Sequence, residues 1–170
     1  MPSKATEVDV SRIAIALVLA LAVARSAAGR SSDLPPVFMG SVHAIPLPEG
    51  DGAWVLQIVS RGGITGRGAG DVVVISDGRL ARPKSGTESI RPEEFASLTK
   101  RIREASPTRW TTGSRLSKCN DCIATLVVLT VRERDGIVRT YTSFWDSATL
   151  AGIPDDVRVI YSVALNLSSR

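Results

Sequence analysis

Residues Ile123 to Val131 read IATLVVLTV, an almost unbroken run of β-branched and leucine side chains. Side chains along a strand point alternately to opposite faces, so a run with no polar alternation has to be buried on both. The chain is therefore expected to hold a central strand inside a sheet that other elements cover from either side. At 170 residues and 44% hydrophobic content it has enough apolar surface for one sizeable core and too little length for two comfortable domains.

The neighbouring segments supply the rest of such a sheet. Arg132 to Gly136 turns the chain, and Ile137 to Trp145 returns as an antiparallel partner. Upstream, Ala53 to Ser60 (AWVLQIVS) places Trp54, Leu56 and Ile58 on one face of a half-buried strand, and Asp71 to Ser76 forms the next. Between them lies the run Arg61 to Gly70, with five glycines in ten residues. Asp77-Gly78 is a dipeptide preferred in hairpin turns where φ must be positive, and Arg79 to Arg82 returns as a short strand that Pro83 ends. Pro92 to Ala105 reads as a helix. Pro92 suits the first position, Glu93 and Glu94 sit at the positive end of the dipole, and Lys100, Arg101 and Arg103 sit at the other. Phe95, Leu98 and Ile102 share one face, and Ile90 with Phe95 would staple the chain around a cap at Arg91. Pro154 to Leu165 fits either period, and the Pro-Asp-Asp start signal decides for a helix. The expected fold class is α+β, a mainly antiparallel sheet of about five strands with two helices.

The N-terminus has another composition. A polar start with Lys4 and Arg12, an apolar run Ile13 to Ala24 and small residues after it have the three parts of a signal peptide over 1–28. Cleavage fits after Ala24 or Ala28, with the second preferred. The apolar run is shorter than the roughly 20 residues a membrane span needs, which leaves an uncleaved anchor as the lesser alternative. Pro35, Pro36, Pro46, Pro48 and several glycines mark 29–52 as a linker, expected to run as an exposed tether to a domain over 53–170. The one histidine, His43, falls in this linker and is read as solvated rather than as a base or ligand. A secreted or periplasmic protein with no membrane contact after cleavage is the expectation.

Chemistry-bearing motifs are few. Lys and Arg number 21 against 17 Asp and Glu, scattered in ones and twos without a basic stripe, so nucleic-acid binding is not expected. Cys119 and Cys122 are the only cysteines, and in an exported chain an even count points to a disulfide. A redox site of thioredoxin type would start a helix, whereas a strand follows here, and zinc would need a second pair of ligands. The glycine-rich run lacks the Gly-Lys-Ser/Thr ending of a phosphate loop and leads into a strand. With a single histidine outside the domain, no catalytic set can be assembled. Asp146 and Asp155-Asp156 have turn and cap explanations. The expectation is a protein with no catalytic residues, metal or cofactor.

Trp54 to Ile58 leading into Gly62-Gly63-Ile64-Thr65-Gly66, a second strand ending at Asp77-Gly78, the helix from Pro92, a hairpin and a final Pro-led helix resemble emfourin, an inhibitor family of thermolysin-like zinc metallopeptidases. The resemblance covers about residues 53–166, and Cys119-Asn120-Asp121-Cys122, the export signal and the tether depart from it. It implies a protein that blocks a peptidase by loop insertion, with Gly62, Gly63, Ile64, Thr65 and Gly66 at the contact and Asn120 and Asp121 beside them. The alternatives are an envelope domain that binds a structural partner and a thiol-disulfide active protein using Cys119 and Cys122.

Overall fold

The computed structural model describes residues 34–63, 71–82, 86–119 and 121–167. The expected signal peptide lies outside them. One antiparallel sheet carries the fold, built from β1 (Trp54–Gly62), β2 (Val72–Ile75), β3 (Arg79–Arg82), β4 (Gly86–Ser89), β5 (Ile123–Arg132) and β6 (Val138–Asp146). Their order is β4-β3-β2-β1-β5-β6, and the helices are α1 (Pro92–Glu104) and α2 (Asp155–Leu165). The fold is α+β, as the order of patterns implied. The sixth strand is β4, whose sequence GTES has no apolar alternation and is a strand only because it pairs with β3.

The helices cover one face. Leu98 and Ile102 of α1 are buried, and Phe95 stacks on Trp54 of β1 with ring centroids 5.9 Å apart. In α2 the buried residues are Val157, Ile160 and Ala164, a helical spacing that leaves the alternating pattern of the same segment without structural meaning. Tyr161 meets Trp145 edge to face at 5.2 Å. Asp156, in the first turn of α2, accepts the Ser106 N–H at 2.9 Å and Trp110 Nε1–H at 3.2 Å, tying the loop after α1 to the start of α2.

The other face corrects the expectation of a free tether. From Leu34 onward the segment expected to hang in solvent lies against the sheet. Phe38, in a short 3-10 turn, is wholly buried among Val59, Ala124, Leu126 and Val128, with Leu34, Val42, Leu116 and Phe144 packed around it. Gln57 on the same face receives the His43 N–H on Oε1 (3.1 Å) and donates Nε2–H to the His43 carbonyl (2.9 Å), while the His43 imidazole stays exposed. The physical reason follows from β5. A central strand apolar on both faces leaves Ala124, Leu126 and Val128 in water unless something covers them, and this strap does. For the same reason β1 is buried from Trp54 to Ser60, not half-buried. Among the described residues, no helix is long and apolar enough to cross a membrane.

Candidate functional site

The start of the glycine-rich run, Gly62 and Gly63, and the cysteine pair come together at one end of the sheet. The β1–β5 register sets Gly62 opposite Ile123, so the chain leaving β1 lies beside the chain entering β5. Gly62 has φ +86, and a Cβ there would stand 2.8 Å from the Cys122 carbonyl oxygen. Gly63 has φ +81, and its Cβ would be 3.1 Å from Ile123 Cγ1. Glycine at both places permits the left-handed backbone and the close approach.

An ion pair joins the two residues that flank the glycine-rich run. Arg61 reaches across it to Asp71 with two parallel bonds, Nη1 to Oδ1 at 2.6 Å and Nη2 to Oδ2 at 3.0 Å. The hydrogen bond and charge of Asp71 hold the guanidinium above its ordinary value against a smaller opposing effect of burial. Arg61 Nε also donates to Ser41 Oγ at 3.1 Å, so the strap and the loop base share one residue.

On the β5 side Cys119 and Cys122 form a disulfide, with Cα atoms 5.5 Å apart. Cys119 and Asp121 are exposed and Cys122 is half-buried. The loop is anchored from below by Asp146, the last residue of β6. Its Oδ2 accepts the Ser117 N–H and the Ser117 hydroxyl (2.7 Å), and Ser117 Oγ in turn accepts the Cys119 N–H (3.2 Å). Its Oδ1 accepts the Ala148 N–H at 3.0 Å and stands 3.1 Å from the Thr149 hydroxyl. Burial opposes the charge on Asp146, but the bonds from Ser117, Thr149 and Ala148 outweigh it and hold the carboxyl below the usual range.

Of the residues expected at the contact, Gly62, Gly63 and Asp121 are thus placed at one end of the sheet, Gly62 against Cys122 of the disulfide and Gly63 against Ile123 at the start of β5. Ile64, Thr65, Gly66 and Asn120 lie outside the described residues. Arg61, Asp71 and Asp146 were not among the expected site residues. The first two flank the glycine run directly, which is the signal that a pair could close it. Asp146 read as a turn residue, which it is, and its second partner Ser117 is far away in sequence. Ile123, 39% exposed, adds an apolar side chain at the junction. Among the described residues no group of three or more His, Cys, Asp or Glu side chains is placed to hold a metal ion. No protein family, curated protein or solved structure matches the chain.

Proposed function

We propose that this is an exported, noncatalytic protein that binds another protein with the end of the sheet formed by Gly62, Gly63 and the Cys119–Cys122 loop. On the resemblance to emfourin, the partner is a thermolysin-like metallopeptidase and binding blocks its cleft. The observation that carries the reading is the close approach of Gly62 to the Cys122 carbonyl, which sets two segments distant in sequence side by side at one end of the sheet. The described residues beside both are held: the Arg61–Asp71 pair joins the two residues that flank the glycine run, and the disulfide and the Asp146 bonds tie Cys119, Cys122 and Ser117. Loops ordered beforehand lose less conformational freedom on binding, which is how a small surface reaches useful affinity. Gly62 is exposed at this junction, so its backbone can be approached by a partner's backbone.

The test is a peptidase assay. Stoichiometric amounts of the protein should slow a thermolysin-like peptidase, and Gly63→Phe should weaken the effect. Ile123→Glu, on an exposed side chain, is the companion variant should Gly63→Phe disturb the fold. Full peptidase activity at large excess of the protein would remove the inhibitor reading. Capture of a structural envelope protein by the same loops would then support the alternative partner. The exposure of Cys119 keeps a thiol-exchange reading alive beside this one. Reduction of a test disulfide, abolished by Cys119→Ser, would establish it.

A further inference from the structure

β6 is an outer strand, and among the described residues its outward edge is covered only in part. At Phe144 the backbone faces outward: its N–H donates to Ser114 Oγ at 3.2 Å and its carbonyl accepts from the Arg115 N–H at 3.1 Å. Directions alternate along an antiparallel strand, so Thr142, Thr140 and Val138 also turn N–H and C=O outward, while Ser143, Tyr141 and Arg139 pair inward with Val127, Leu129 and Val131. Proline, lysine and bulges, the usual devices that blunt an edge, are absent from Val138 to Thr142.

We propose that this edge pairs with the same edge of a second copy of the chain, antiparallel, about a two-fold axis at Thr140. Two limits select that register. The Ser114–Arg115 segment closes the edge at Phe144, and the turn at Gly136 ends the strand at Val138. An incoming β6 fits between them when Thr140 faces Thr140 of the second copy, which sets each Val138 opposite a Thr142. Residues with outward backbone groups then meet one another and can exchange about six N–H···O=C bonds. The charges agree with this register. Arg139 comes opposite Tyr141 of the second copy and not opposite another arginine. Within each chain Glu133 holds both, accepting Arg139 Nε–H at 2.8 Å and the Tyr141 hydroxyl at 2.7 Å, so a neutralised guanidinium meets an aromatic ring. On the other face the Thr140 hydroxyl, 3.2 Å from that of Thr130, meets its counterpart. A joint this short buries less than the roughly 1,200 Å² of a standard interface, so the dimer is reversible and concentration-dependent. Antiparallel pairing sends the two loop-bearing ends in opposite directions, giving one assembly with two binding surfaces.

Sedimentation velocity over a concentration series, on the protein in the form its producing cell accumulates, tests the pairing together with amide exchange followed by mass spectrometry. The mass should rise from one chain to two, and exchange at Thr140 and Thr142 should slow in step. Thr140→Pro removes an outward N–H and leaves the ladder to β5 intact, so it should stay monomeric at every concentration. Thr140→Cys, an exposed position, checks the same contact without a proline: it should cross-link to itself on mild oxidation, and Ser89→Cys on the opposite edge should not. A chain that is monomeric throughout, a dimer that survives Thr140→Pro, or equal cross-linking at Ser89 would overturn the proposal.

Discussion

At Gly62 two demands fall on one residue, a backbone at φ +86 and a carbonyl oxygen 2.8 Å from where a Cβ would be. Gly62→Ala meets left-handed strain of about 1–2 kcal/mol and, beyond it, the clash with Cys122. Gly78 has φ +87 and nothing within 4 Å, so Gly78→Ala carries the strain alone. Urea midpoints should place Gly62→Ala below Gly78→Ala by about 1 kcal/mol or more, a gap in the range of ordinary packing penalties. Equal losses would show that the two loops part without resistance. Asp146 makes the complementary case for a side chain. It is 3% exposed, yet its hydrogen bonds hold its carboxyl below the ordinary value despite burial. With the folded value below the unfolded one, its contribution is present above the unfolded value of about 3.9 and is lost as pH falls through the folded one. Asp146→Asn puts an amide where N–H donors converge and should cost about 2–3 kcal/mol at neutral pH. Melting of both proteins at pH 7 and pH 3 should show the gap narrowing in acid; a constant gap would mean the charge contributes nothing.

Elements with their own period were legible and elements defined by contact were not. β5 announces itself by its unbroken apolar run, α1 by its stripe and terminal charges, and α2 by a start signal that decided between two periods. β4 offers only GTES, four residues made into a strand by β3. The strap hides better still, since Leu34, Phe38 and Val42 stand among prolines and glycines with no run around them. What foreshadowed it was β5 itself, whose two apolar faces require a second cover beyond the helices. The candidate site divides in the same way: the glycine run and the cysteine pair are visible in sequence, but the meeting of Gly62 with Cys122 depends on a β1–β5 register between distant segments. Phe38→Ala measures how far the strap belongs to the core. Deleting a wholly buried phenylalanine should cost about 3–5 kcal/mol, whereas a residue in a solvated tether would cost almost nothing. Chemical unfolding distinguishes the two.

For the molecule as a whole, the strap decides what the folding unit is. Leu34 to Arg170 forms one compact unit, although composition places the start of the domain at Ala53. A chain beginning at Ala53 would keep every strand and both helices and lose only the strap with its short 3-10 turn. It would nonetheless expose Val59, Ala124, Leu126 and Val128 on one side of the sheet. Phe38 alone accounts for about 1.5–3 kcal/mol of apolar burial, and Leu34 and Val42 add to it. Against a total of about 5–15 kcal/mol for a domain, a loss near 5 is a large share. At this chain length it corresponds to a fall in Tm of roughly 10–20 °C. Compared with a chain beginning at Leu34, the one beginning at Ala53 should melt earlier by that amount and bind a dye specific for exposed apolar surface. Equal melting of the two would reduce the strap to an ornament on a sheet stable without it, and the burial of β1 and β5 on that face would need another explanation.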